Sequence, residues 1–112
     1  MARKIVWDEQ ALEDLLQAAD YISRDSQHYA QALIDKAAAA ARSLLVFPES
    51  GRRVPEIHDA NIRELFVQSY RLIYEVQPEA LDVIAFVHGA RNLSLWRKKE
   101  GSSRHPEEDT ER

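Results

Sequence analysis

The sequence contains no cysteine, and only three of its 112 residues are glycine. Without thiols the fold has no disulfide and no thiolate metal site, and nothing points to an oxidising compartment. Gly51 and Gly89 stand alone, so no glycine-rich loop is available to cradle a nucleotide phosphate. The four histidines, His28, His58, His88 and His105, are widely scattered and show no paired-ligand spacing. No serine sits on a glycine-flanked elbow of the kind that presents a nucleophile. The opening "MARKIVWDEQ" has a basic pair but no apolar run after it, so it reads as neither signal peptide nor membrane anchor. The expectation is a cytoplasmic protein with no metal, no cofactor, no membrane partner and no small-molecule substrate.

What is present is an ordinary globular mixture, 45% hydrophobic and 30% charged, with room for one core. The net charge of −4 is unevenly spread. Residues 1–50 carry 5 Lys/Arg against 8 Asp/Glu, residues 51–99 carry 8 against 6, and residues 100–112 carry 2 against 5. The cations therefore gather in the second half, mostly as arginine. Such clustering bears on partners rather than on fold, and a mixed-charge surface without further meaning gives the same count.

Hydrophobic spacing sets out the elements. "RKIVW" (3–7) is a short β-prone run, followed by Asp8 as a candidate helix cap. Leu12, Leu15, Leu16, Ala19 and Ile22 recur at steps of three and four, the signature of a helix with one apolar face. Ser26 can cap a second helix, whose face is Ala30, Leu33, Ile34, Ala37, Ala38, Ala41, Leu44 and Leu45. Its run of alanines allows close approach to the first helix. "FPESGRRVPE" (47–56) ends that helix, with Pro48 and Gly51 at turn positions. Three β-like runs follow, at 62–67, 70–76 and 81–87; "QPEA" (77–80) is a turn, and "QS" (68–69) is a poor hairpin link by composition. The order β-α-α-β-β-β predicts an α+β fold, a helical hairpin packed on one face of a small, largely antiparallel sheet. The domain spans residues 1–99, and residues 100–112, without an aliphatic or aromatic side chain, read as a disordered acidic tail.

Within "YRLIYEV", Tyr70, Leu72, Tyr74 and Val76 share one strand face, while Arg71, Ile73 and Glu75 share the other. The larger apolar set is expected against the helices, which leaves Arg71 on the open side of the sheet. There it is either a functional cation or half of a cross-strand ion pair with a carboxylate such as Glu64. "HGAR" (88–91) adds His88, which titrates near neutral pH, and Arg91, whose planar fork suits phosphate or carboxylate. "WRKK" (96–99) sets Trp96 beside Arg97 and two lysines, a pairing that suits nucleic acid and is also common on protein surfaces.

Residues 3–93 resemble the RelE/ParE superfamily of toxins from bacterial type II toxin–antitoxin modules. The resemblance rests on the early aromatic Trp7, "ADYI" (19–22), "FPESGRRVPE", "IRELFVQSYRLIYEV" and "VIAFVHGAR", in matching order and spacing. It implies the same fold and a cognate antitoxin as partner. Two activities follow from its two branches.

The RelE-like branch implies a ribosome-dependent, metal-independent endoribonuclease acting on mRNA. Such cleavage needs a base, cations for the charge developing on phosphorus, and an acid. Arg71 and Arg91 match two arginines of that pattern. The lysine cluster expected before the arginine strand is missing, since Arg63 is the only cation in "NIRELFVQS". The C-terminal tyrosine is missing as well, with Trp96 and Arg97 in its neighbourhood; His88 is a candidate acid or base on its own chemistry. The ParE-like branch implies an inhibitor of DNA gyrase, which needs no catalytic set. "FPESGRRVPE" and "HGAR" look closer to this branch, and it is the reading favoured. Arg63, Arg71, Arg91, Trp96 and Arg97 are then expected to contact target or antitoxin. A third reading is an inactive interaction module of the same fold.

Overall fold

The computed structural model describes residues 3–96, so Arg97 and the expected acidic tail at 100–112 lie outside the described residues. Strand β1 (Lys4–Trp7) leads into helices α1 (Glu9–Ser23) and α2 (Gln27–Ser43). A two-residue strand β2 (Arg52–Arg53) precedes β3 (Ile62–Val67), β4 (Tyr70–Val76) and β5 (Ala80–His88). The five strands form one mixed sheet in the order β1-β5-β4-β3-β2. Only the β1–β5 pairing is parallel, and the long connection between these two strands, which includes both helices, is of the kind a parallel pair requires. The anticipated α+β architecture is therefore the one observed, with β2 as an addition inside the linker.

The helix boundaries follow local chemistry. Ser26 caps α2 by accepting a bond from the Tyr29 N–H at 3.1 Å. Asp8 stands at the start of α1, but its carboxylate makes no capping bond to the helix. Ala11, Leu15, Leu33, Ala37, Ala41 and Leu44 pack with Leu72, Tyr74, Leu81, Val83 and Phe86 into the core between helices and sheet. Small alanines on both helices let larger leucines fill the remaining space; each buried leucine contributes about 1.5–3 kcal/mol. On α1 the apolar face is rotated from its sequence pattern. Leu12 and Leu16 are 44% and 51% exposed, while Ala11 and Ala18 take the inward positions; Leu45, expected on the face of the second helix, lies just past the end of α2 and is exposed.

Three sheet features position the second face. The "QS" link does form a two-residue hairpin, held by the Val67–Tyr70 pair, and Gln68 takes φ 55° in the left-handed region that favours glycine. In β5 a bulge breaks the alternation: Ile73 pairs with Ala85 and Tyr74 with Val83, leaving Ile84 as the extra residue. Ile84 and Ala85 consequently both join Val54, Ile62, Ile73, Val87 and Leu93 in a second cluster on the far side of the sheet. That side is thus not open, as the strand pattern suggested, but covered by residues from the 54–57 and 93–96 segments.

Gly51 fixes where the linker enters. A Cβ there would lie 2.5 Å from the Glu64 carbonyl oxygen and 2.7 Å from the Tyr74 hydroxyl. The buried Tyr74 hydroxyl accepts from the Gly51 N–H at 3.1 Å and donates to the Pro48 carbonyl at 2.8 Å. Burial pushes this phenol above its ordinary range, so it stays a neutral donor. Gly51→Ala is expected to cost about 1–3 kcal/mol, because a backbone carbonyl cannot step aside as a flexible side chain could. A chemical melt reads the loss directly; a change within error would show that the linker can slide.

Candidate functional site

Arg71 lies on β4 opposite Phe66 of β3 and Val87 of β5, on the face away from the helices. It is only 3% exposed. Its Nε donates to Glu64 Oε1 at 2.7 Å, its Nη2 to Glu56 Oε1 at 2.8 Å, and its Nη1 to Glu56 Oε2 at 3.1 Å. Nη1 also donates to the Arg91 carbonyl at 3.1 Å. Little donor capacity is left for an incoming phosphate. The sequence alternative of an ion pair with Glu64 is the one realised, and the expectation of Arg71 as an open-face cation is corrected: strand alternation sets the face but is blind to the linker that folds over it.

The carboxylates extend the network. Glu64 is fully buried and accepts a second bond from Arg52 Nε at 2.6 Å, with the Arg52 guanidinium 5.5 Å above the Phe66 ring. Glu56, 22% exposed, accepts the Leu93 N–H at 3.4 Å as well as the Arg71 fork. Two arginines, Arg52 and Arg71, thus face two glutamates, Glu56 and Glu64, and the cluster is neutral. The hydrogen bonds from Arg71 hold the Glu56 carboxyl down to about 2 despite the opposing pull of burial. In return the Glu56 bonds, against desolvation, hold the Arg71 charge more firmly than usual. Together these bonds tie the linker and the segment after β5 to the sheet.

The other candidates divide by location. His88 is exposed at the end of β5, and its Nδ1 accepts the Ala90 N–H at 3.2 Å. The ring stands edge-on to Tyr70 at 5.6 Å, and Tyr70 stacks on Phe86 at 5.1 Å. Arg91 donates its N–H to the His88 carbonyl at 3.0 Å and leaves its side chain exposed. Arg71, His88 and Arg91 are therefore near one end of the sheet, linked through backbone rather than side chains. Arg63 is elsewhere, paired with Tyr74 on the helix side and donating to the Gly51 carbonyl at 2.8 Å. Trp96 is half-buried against the second cluster. It lines, with Glu56, Ile57, His58, Ile62 and Ser94, a cavity of about 390 Å³. Arg97 lies outside the described residues.

Glu56 and Arg52 escaped the sequence reading. Glu56 sits in a linker, 15 positions from Arg71, where no periodicity assigns a face. Among the described residues no group of three or more His, Cys, Asp or Glu side chains is placed to hold a metal ion. No described helix is long and apolar enough to cross a membrane.

Comparison with known proteins places these features. Residues 5–93 match the family described as the ParE toxin of the type II toxin–antitoxin system, parDE. Toxin RelE2 of Caulobacter vibrioides is 35% identical over 89 residues, covering 79% of this chain and 97% of the relative. A solved structure, the chromosomal ParDE toxin–antitoxin system from P. aeruginosa, superposes with a TM-score of 0.65 at 14% identity. That match covers 78% of this chain and 96% of the other and is a likeness of fold.

Proposed function

The chain belongs to the ParE toxin family of type II toxin–antitoxin systems, and from that premise we propose that it inhibits DNA gyrase by binding and is neutralised by a cognate antitoxin. The observation that carries this reading is the state of Arg71. A ribonuclease of this fold would need that guanidinium on the scissile phosphate. Here it is buried, forked onto Glu56 and bonded to Glu64. An inhibitor that acts by binding needs no free cation at that place. Its contacts would come from what is exposed, with Arg91 among them, while Arg71 and Trp96 hold the surface from beneath.

The test is a supercoiling and DNA-cleavage assay with purified gyrase and this chain, with a control lacking ATP. Lost supercoiling or accumulated cleavage complexes are expected, and Arg91→Ala is expected to weaken the effect without lowering the melting temperature. The 35% identity to a protein named Toxin RelE2 supports the second reading, cleavage of ribosome-bound mRNA, with His88 and Arg91 as the accessible groups. No gyrase effect at molar excess, with mRNA cut on the ribosome, would decide for it. Harmless high-level expression without the antitoxin would set both aside in favour of an inactive interaction module.

A further inference from the structure

Residues 89–96 belong to no helix or strand, so no ladder of backbone bonds fixes where their side chains are presented. Arg91 lies in this stretch with its side chain exposed. Its main chain is nevertheless tied down on both sides. The Gly89 N–H donates to the Ser69 carbonyl at 2.8 Å, and a Cβ on Gly89 would come within 3.0 Å of that same oxygen. The Arg91 carbonyl accepts from Arg71 Nη1 at 3.1 Å, and the Leu93 N–H donates to Glu56 Oε2 at 3.4 Å. The Leu93 side chain is buried in the second cluster. Glu56 Oε2 also accepts from Arg71 Nη1 at 3.1 Å, so these contacts close into a ring. It runs from Glu56 through Arg71 to the Arg91 carbonyl and returns through the Leu93 N–H. Glu56 joins the two ends. Its other oxygen takes Arg71 Nη2 at 2.8 Å, which sets the angle at which Nη1 meets the Arg91 carbonyl.

We infer that Glu56 is a positioning residue for Arg91, fixing the backbone from which the exposed guanidinium is offered to the target. The inference rests on the reading of Arg91 as a target contact and deepens it. Glu56 acts through Arg71 and Leu93 and needs no contact with the target itself. A long side chain on a loose backbone loses freedom on binding; on a fixed backbone part of that freedom is already gone. Opening the ring is expected to weaken the Arg91 contribution about three- to tenfold. Glu56→Gln opens it, because the side chain keeps its length but sets an amide NH2 against one guanidinium nitrogen.

The experiment is a double-mutant cycle on Glu56→Gln and Arg91→Ala, with Asp59→Asn as an exposed carboxylate outside the ring. Each chain is expressed alone, and the folded concentration at which growth stops is recorded, a readout that assumes nothing about the target. The gyrase assay is run beside it on the same proteins. Arg91→Ala is expected to raise the required concentration in the wild-type background but to change it by less than about twofold in Glu56→Gln. Asp59→Asn is expected to match the wild type. Amide exchange at residues 91–93 is expected to quicken in Glu56→Gln more than in the strands. If Glu56 served stability alone, Arg91→Ala would act by the same factor in both backgrounds. That additivity, unchanged exchange, or a wild type that does not stop growth overturns the inference. A coupled cycle in cells with no effect on gyrase keeps the positioning role and sets aside gyrase alone. If Glu56→Gln does not fold, Glu56→Asp, which keeps the charge but is one carbon short of closing the ring, carries the same cycle.

Discussion

Arg71→Met is expected to lower stability by about 3–5 kcal/mol, a fall in melting temperature on the order of 15 °C for a domain of this size. The loss comes less from the arginine than from what it leaves behind. Glu64 is fully buried, and without Arg71 its one remaining cation among the described residues is the half-exposed Arg52. Glu56 loses its cation and keeps only the Leu93 N–H, and the Arg91 carbonyl loses the Arg71 donor at the same time. A buried pair is often no better than a well-packed apolar pair, so a combined Arg71→Met/Glu64→Leu change should recover part of the loss. Urea melts of the two single variants and the double measure this coupling. A penalty within about 0.5 kcal/mol, normal for a surface side chain, would mean that Arg71 is a surface group after all. Any loss of toxicity in an Arg71 variant therefore has to be read beside its melt.

The second large effect is pH-dependent. Glu56 ionises at about 2 in the folded chain against an ordinary 4.5, because Arg71 bonds to its carboxylate. Between those values the unfolded chain binds more protons, so stability rises with pH across that window. The contribution is complete above about pH 4.5 and disappears as the pH falls through 2. Its size is about 2–3 kcal/mol after allowance for the exposed part of the side chain. Melts of the wild type and Glu56→Gln should differ by that amount at pH 7 and converge near pH 2. A constant gap across the range would assign the stabilisation to groups other than this carboxylate.

Much of this architecture was legible because the physical signal was local. Period-three-and-four spacing located both helices, Ser26 marked the start of α2, and period-two alternation put Leu72 and Tyr74 toward the helices. The failures came where the deciding contact was distant in sequence. Leu12 and Leu16 fit a helical stripe as well as Ala11 does, and only the close packing of the two helices chooses the smaller side chains for the inside. Gly51 looked like a turn glycine, but the demand on it comes from the Glu64 carbonyl and the Tyr74 ring. The bulge at Ile84 has no residue-type marker. Arg71 was placed on the correct face and given a correct partner in Glu64, yet its second partner came from a segment with no periodicity.

The parallel pairing of β1 with β5 has a consequence for how the chain is made. Arg3 bonds the Gln77 carbonyl across 74 positions, and β5, buried along all but its last residue, lies between β1 and β4. The first strand to leave the ribosome therefore has no neighbour until nearly the whole domain has been synthesised. The αα-hairpin and the β3–β4 hairpin are closed by short loops and can form early; the sheet's centre cannot. A message cut or frameshifted before β5 yields a chain with no place for β1 and only one wall to its core. Translation thus leaves the closing of the sheet to one late step, when β5 emerges to pair with both β1 and β4.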